Sequence, residues 1–574
     1  MNLRMRGCFG TEWTNRLTTR MLIISLLAII TAYPCAASEN TKNHRSLRMF
    51  WGKYLGTTRR DMIFDRMMNI PPGSEYNEQV CANDNSPVEV KYWPQKLDNF
   101  DSNNNITWQQ HYQVQRKYFN ASLDQQVIFV QIGGEGPINN KWVCYDNYTY
   151  MITAKKYSAL VVQVEHRFFG ANIGTDDLST ANLKYLTTEQ ALADLNNFIT
   201  GFVKNFTNPK VIAFGGSYPG TMSALMRVLY PNVTQGNIAS SAPLLPKVDF
   251  YEYAQVMESA FRDTSTDCYN TVKAAFAEMV SKTLTASGRK ELNDKFHLVP
   301  GLTEPPLIED IQTVTSSMFD SFQGICQYTY DGAADRFENK TGERQNIAYG
   351  CQVMGDSSVG TLLDRLYKIF VLANGDPKEN PFYSSYNLSI APFLNTSIHG
   401  DQADMRGWLW LSCNEWGWLQ STQNSDLFGD VVPISLYIKQ CADLFDNTMN
   451  ATTIANNIKK TLQLYGYPEN YNGTNVYLPN GGYDPWSALG VYVKNNSNSN
   501  HLVSHLTPKA AHCSDMYGQY DGEPTGLNET RTIFNNEVQY YLSLDSTFKK
   551  NAANSIAFAF STLFLSFLFV FSSS

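Results

Sequence analysis

Charge is scarce in this sequence: Asp, Glu, Lys and Arg make up 17% of 574 residues, with 45 basic against 53 acidic and no Lys/Arg block. Binding nucleic-acid phosphates takes a concentrated basic face, so a nucleic-acid partner is excluded. The ten cysteines include no CxxC pair, which argues against a zinc site. His501 and His505 stand four apart without the glutamate of an H-E-x-x-H motif. No metal and no cofactor is therefore expected. No internal repeat occurs, and low complexity is confined to short polar loops at 101–105 and 495–500. At 43% hydrophobic residues the chain is too apolar for disorder. Its length calls for a globular body carrying an insertion or a second lobe.

The two ends speak about compartment. Arg4, Arg6, Arg16 and Arg20 precede the apolar run 21–30, and Cys35-Ala36-Ala37 follows it. That is the layout of a secretory signal peptide over 1–37, with a retained signal anchor as the alternative. Cleavage would discard Cys8 and Cys35, leaving Cys81, Cys144, Cys268, Cys326, Cys351, Cys413, Cys441 and Cys513. Scattered and even in number, these are expected to form disulfides in an oxidising compartment, with the pairing open. Sequons at Asn105, Asn120, Asn147, Asn205, Asn232, Asn339, Asn387, Asn395, Asn450, Asn472, Asn495 and Asn528 fit a lumenal or extracellular, glycosylated chain.

At the other end the apolar run 556–571 is followed by three serines and no basic stop. Asp545-Ser546-Thr547 and a polar spacer precede it, the arrangement of a glycolipid-anchor signal over 546–574. A membrane helix or a buried helix are the alternatives. The expected location is the secretory pathway, extracellular or lysosomal, with the chain held to a membrane by a C-terminal lipid or helix.

Between the ends, 127–132, 160–164 and 211–214 are strand-length runs rich in branched residues, without polar alternation, as in a sheet covered on both faces. Thr187-Thr188-Glu189-Gln190 reads as a capping box before Leu192, Leu195, Phe198, Ile199 and Phe202 at helical spacing. Met222, Leu225, Met226 and Leu229 form a second helical stripe that stops at Pro231. Strand, helix, strand, helix implies a parallel sheet with crossover helices, an α/β fold. Helical patterns at 251–261, 271–284 and 359–371 suggest a largely helical cap insertion over 245–410. The sheet domain would then occupy 45–244 and 411–545.

A strand running into Gly215-Gly216-Ser217-Tyr218-Pro219-Gly220, with a helix leaving, is the setting of a nucleophile elbow, and Ser217 is its candidate nucleophile. The G-x-S-x-G pattern places Pro219 where its last glycine should stand. The oxyanion donor in such an elbow is the N–H of the next residue, here Tyr218, so the missing proline N–H costs no donor. The bland alternative is a Gly-Ser turn without chemistry. In this fold type the order is Ser, acid, His. Asp484, in the turn after a late strand at 475–478, is the candidate acid, and a turn-forming Asp before Pro is its alternative. His501, His505 and His512 all follow, and position favours His512 in a small-residue loop. Gly133-Gly134-Glu135-Gly136-Pro137 after an early strand suits the second oxyanion donor, at Gly134 or Glu135.

The segments GGSYPG, VEHRFFG (164–170), YLTTEQALAD (185–194), NGGYDPWSALG (480–490) and AAHCSDM (510–516) occur in order. Together they resemble the prolyl-type serine carboxypeptidase family over about 50–545. Residues 408–420 are closer to its thymus-specific branch than to its Pro-X carboxypeptidase branch. The resemblance implies an α/β-hydrolase fold, Ser217, Asp484 and His512 as the triad, and cleavage of a peptide substrate near a terminus after proline, as a carboxypeptidase or a dipeptidyl-peptidase. It suggests Trp486 as a wall for a proline ring, and Glu415 or Glu135 for a substrate amine. The tryptophans between 408 and 418 are expected in the core. The competing function is a catalytically silent hydrolase-fold surface protein that binds a partner. A lipase or esterase shares the triad but not these segments, and a homodimer stays open.

Overall fold

The computed structural model describes residues 86–548 except 171, 330–345, 400, 495–498 and 521. The signal segment, Cys8, Cys35, Cys81, the sequons Asn339 and Asn495, and the apolar run at 556–571 lie outside the described residues.

Eight strands form the main sheet: β1 (Glu89–Lys96), β2 (Thr107–Gln115), β3 (Val127–Ile132), β4 (Leu160–Val164), β5 (Lys210–Gly216), β6 (Gly236–Ser240), β7 (Val476–Gly481) and β8 (Leu502–Thr507). Their spatial order is β1-β2-β4-β3-β5-β6-β7-β8. β2 runs antiparallel to β1 and β4, and the remaining neighbours are parallel. The runs at 127–132 and 160–164 are β3 and β4. The run at 211–214 extends by a residue before and two after into β5.

Alternate residues of these strands feed two cores. Ile128, Val130, Val162 and Ala213 pack with α1 (Thr188–Phe202) and α2 (Tyr218–Leu229) on one face. Phe129, Val161, Ile212 and Phe214 pack on the other. Burial on both faces explains why these strands lack alternation. Thr187 caps α1 by accepting the Gln190 N–H at 3.2 Å. The reciprocal half of the expected capping box is absent, because the Gln190 amide is drawn to Asn99 N and Asp98 instead.

Between β6 and β7 no main-sheet strand occurs among the described residues. The chain is helical there in α3 (Glu252–Thr264), α4 (Thr266–Thr283), α5 (Ile308–Gln327), α6 (Leu362–Asn374), α7 (Asp401–Leu411), α8 (Ile434–Leu444) and α9 (Ala451–Tyr465). Helices thus continue past residue 410 up to 465. A last helix, α10 (Leu527–Ser543), sets Phe534, Val538 and Tyr541 into the second core. Mostly parallel, wrapped by helices and interrupted by a helical excursion, the architecture is the α/β-hydrolase fold.

Disulfides join Cys268 to Cys351 and Cys413 to Cys441, and Cys144 is also disulfide-bonded. Cys326 and Cys513, expected to be paired, are free and buried. Their sulfurs lie 3.8 Å from the Tyr483 carbonyl and 3.9 Å from that of Ser240, serving as small core side chains. Ser546, at the start of the segment read as an anchor signal, is buried, its hydroxyl donating to the Pro209 carbonyl at 2.7 Å.

Candidate active site

β5 runs straight into α2 through Ser217, whose backbone sits at φ 66°, ψ −133°. A serine with positive φ is strained, and neighbouring contacts hold it there. Its N–H donates to the Ser240 carbonyl at 2.9 Å and its carbonyl accepts from Thr221 N at 3.0 Å. The elbow is too tight for side chains on its glycines. A Cβ on Gly215 would lie 2.1 Å from the Pro219 carbonyl oxygen, and one on Gly216 would lie 2.4 Å from Met516 Sδ. Pro219 occupies the second position of α2, where the helix demands no N–H, and α2 begins at Tyr218 despite the proline that follows. The pyrrolidine packs on the early glycine loop: a Cβ on Gly134 would lie 2.6 Å from Pro219 Cγ.

Asp484 and His512 come from loops beyond the ends of β7 and β8. Gly481 permits their approach, since a Cβ there would lie 2.3 Å from the Ala510 carbonyl oxygen. The His512 loop is pinned from several sides. His512 N donates to Gln327 O at 2.9 Å, Ala511 N to Ser514 Oγ at 3.1 Å, and Cys513 N to Ser241 Oγ at 2.9 Å. Asp484 is fully buried and His512 nearly so. His512 Nδ1 stands 2.8 Å from Asp484 Oδ2, and Asp484 Oδ1 accepts from Trp486 N at 3.0 Å. Burial alone would lower the His512 imidazole. The Asp484 carboxylate, with the Cys513 sulfur in support, overrides burial and lifts it to about 10.

Ser217, His512, Gly134 and Glu135 line one cleft of about 90 Å³. Sequence reasoning missed several of its other walls, among them Trp142, Tyr328, Met516, Gln131 and Gln163. Tyr328 follows α5 directly, so the excursion between β6 and β7 supplies part of the wall.

Two candidates for substrate contact sit elsewhere. Trp486 is buried behind His512, with ring centroids 6.4 Å apart, and its Nε1 donates to Gln327 Oε1 at 3.0 Å. It does not line the cleft. Glu415 is buried at the start of α1, its oxygens accepting from Thr188 N at 2.9 and 3.1 Å and from Thr188 Oγ1 at 3.0 Å. The helix N-terminus therefore takes the carboxylate that was expected to meet a substrate amine. The same Thr188 hydroxyl lies 3.0 Å from the Tyr218 hydroxyl, which lies 3.1 Å from His166 Nε2. Glu415 thus belongs to a buried network beneath the residue after Ser217. Burial pushes its carboxyl up to about 7, against the Thr188 bonds, which favour the ionised form. The tryptophans of 408–418 are buried, Trp416 stacking on Trp418 at 4.7 Å.

A buried Asp–His pair, a strained serine at a strand-to-helix turn and a glycine loop around one cleft are what acyl-transfer chemistry requires. Comparison with known proteins agrees. The serine carboxypeptidase S28 family model matches residues 95–534. A Caenorhabditis elegans relative, F56F10.1, is 39% identical over 493 residues, covering 82% of this chain and 88% of its own. The mouse (Mus musculus) thymus-specific serine protease is 26% identical, covering 78% of this chain and 86% of its own. The Bos taurus lysosomal Pro-X carboxypeptidase is likewise 26% identical, covering 79% and 87%. With its elbow, acid and histidine inside the matched span, the chain belongs to the serine carboxypeptidase S28 family, whose members are serine peptidases.

Proposed function

We propose that the protein is an exopeptidase of the secretory pathway that cleaves peptides near a terminus, after proline, through a Ser217 acyl-enzyme. In this reading His512 Nε2 takes the Ser217 proton as the hydroxyl attacks the peptide carbonyl, then returns a proton to the leaving amine. Asp484 holds the Nδ1–H tautomer and stabilises the imidazolium. The Tyr218 N–H, opening α2, and a backbone N–H at Gly134 or Glu135 receive the oxyanion, each worth about 3 to 4 kcal/mol. Water then hydrolyses the ester by the reverse proton path.

The single observation that carries this reading is the convergence of Ser217, His512 and the Gly134 loop on one small cleft. Restriction to chain ends is supported by its size, well below the ~300 Å³ of an ordinary ligand pocket, and by the Tyr328 wall. Proline preference and a lysosomal or extracellular location rest on likeness to the Pro-X carboxypeptidases and on the disulfides. The sequons Asn105, Asn120, Asn205, Asn232, Asn387, Asn395, Asn450, Asn472 and Asn528 are exposed, as glycan carriers must be. Digestion of a proline-containing peptide tests the reading. Release of an N-terminal dipeptide or of a single C-terminal residue, lost in Ser217→Ala, is expected. No cleavage by correctly folded protein would favour a silent binding protein.

A further inference from the structure

Four hydrogen-bond contacts run in line beneath the residue that follows Ser217. Glu415 Oε2 and Thr188 Oγ1 are 3.0 Å apart, Thr188 Oγ1 and the Tyr218 hydroxyl 3.0 Å, the Tyr218 hydroxyl and His166 Nε2 3.1 Å, and His166 Nδ1 and the Arg167 carbonyl 2.6 Å. All four side chains are more than nine-tenths buried. Each contact takes one hydrogen. The Thr188 and Tyr218 hydroxyls and a neutral imidazole supply three between them. Burial holds the Tyr218 hydroxyl well above its ordinary value, so its hydrogen stays in place. The fourth must be an added proton, carried by the Glu415 carboxyl or by the second nitrogen of His166. An ionised Glu415 facing a cationic His166 across two hydroxyls would bury two separated charges, whereas a carboxylic acid and a neutral imidazole bury none. With the proton on Glu415 each donor meets an acceptor: the carboxyl donates to Thr188, Thr188 to Tyr218, Tyr218 to His166 Nε2, and Nδ1–H to the carbonyl. Trp416 Nε1 donates to the other lone pair of Thr188 Oγ1 at 2.9 Å.

We infer that Glu415, Thr188 and His166 are positioning residues for the oxyanion donor, and that one proton held on Glu415 locks the Tyr218 hydroxyl between Thr188 and His166. The inference rests on the reading of Ser217 as the nucleophile and of the Tyr218 N–H as an oxyanion donor. Loss of that proton to solvent falls on Tyr218. An ionised Glu415 takes the Thr188 hydrogen in a charge-assisted bond. The Tyr218 hydroxyl has one hydrogen and can then serve Thr188 or His166, not both. Glu189 and Tyr465 face Glu415, and Glu135 and Arg167 face Tyr218. Glu189 favours keeping the proton, and the charge of Arg167 is taken up by Asp194, whose oxygens lie at 2.7 and 2.8 Å. Burial raises Glu415 to about 7, so the lock opens as pH rises through neutrality.

The test uses the full-length protein. Labelling of Ser217 by an alkyl fluorophosphonate is followed from about pH 5 to pH 9 in wild type, Glu415→Gln, Tyr218→Phe and the double variant. Wild-type protein that takes no label overturns the parent reading and this one with it. The amide of Glu415→Gln donates to Thr188 at every pH and so mimics the protonated carboxyl. Dividing its rate by the wild-type rate cancels the ionisation of His512, common to both. The ratio should be flat below about pH 6 and rise about tenfold by about pH 9, the worth of one hydrogen bond. With a peptide substrate the rise should appear in kcat and not in KM. Tyr218→Phe keeps the backbone N–H but cuts the line, and in that background Glu415→Gln should leave the ratio flat throughout. Infrared difference spectra of wild type against Glu415→Gln should show a carboxylic-acid C=O band at about pH 5 that is gone at about pH 9. A flat ratio in protein that takes label overturns the inference alone, as does a rise that survives Tyr218→Phe. A carboxylate band already present at about pH 5, or a Glu415→Gln protein that does not fold, contradicts the added proton and overturns it too.

Discussion

Replacing Asp484 by asparagine isolates what the buried carboxylate does for His512. The amide is nearly isosteric, and its orientation is dictated by the surroundings. Trp486 N donates to Asp484 Oδ1 at 3.0 Å, so the asparagine carbonyl must stay on that side. The NH₂ then faces His512 Nδ1, 2.8 Å from the present Oδ2. Two donors cannot share that bond, so Nδ1 must give up its hydrogen and become the acceptor. The proton moves to Nε2, the nitrogen needed to receive the Ser217 proton. A triad held in the wrong tautomer loses about 10⁴ in kcat, or ~5 kcal/mol of transition-state stabilisation. The assay is the second-order rate of fluorophosphonate labelling alongside peptide turnover, with thermal melting to verify folding. A folded Asp484→Asn protein retaining more than a tenth of wild-type activity would refute the reasoning.

Other outcomes follow from the same geometry. His512 lifted to about 10 by Asp484 must be neutral to act as a base, so the labelling rate should climb with pH and inflect above 6.5, the ordinary imidazole value; an inflection at or below 6.5 contradicts the assigned environment. Glu415, raised to about 7 by burial, binds a proton in the folded state that the unfolded chain has released above its ordinary 4.5. Its contribution to stability is therefore present below 4.5 and is lost as pH rises through 7, by up to ~3 kcal/mol. Glu415→Gln should raise the Tm at pH 8 relative to wild type and leave it little changed at pH 4. Gly134→Ala puts a methyl group 2.6 Å from Pro219 Cγ and displaces the loop proposed for the oxyanion, so kcat should fall about 10² to 10³ with little change in Tm. Serines at Cys268 and Cys351 release a closure across 83 residues, and melting should report a loss of roughly 2 to 5 kcal/mol.

The buried centre of the sheet was legible because the runs at 127–132, 160–164 and 211–214 are packed on both faces and so lack polar alternation, broken only at Gln131 and Gln163. β1 and β2 were not. β2 is rich in glutamine, and a buried amide pair, Gln95 of β1 with Gln110 at 2.7 Å, takes the place of apolar side chains. Ser217 was proposed from its strand-turn-helix setting and Asp484 from its turn after a late strand, whereas chain order left His501, His505 and His512 open and the family segments singled out His512. Tyr328 could not be found in these ways, because it reaches the cleft from the excursion between β6 and β7, nor could Gln131 and Gln163, which read as ordinary strand positions. Glu415 was misplaced for a related reason: its partner Thr188 lies 227 positions away, and no local pattern announces that bond. The free Cys326 and Cys513 show that an even cysteine count does not imply complete pairing.

The central claim is that Ser217 is an activated nucleophile. Mass mapping after exposure to a fluorophosphonate tests it most directly. The account predicts a single adduct on the peptide containing Ser217, formed by the wild-type chain and abolished by His512→Ala. Absence of that adduct in folded protein, or its appearance at another serine, would contradict it.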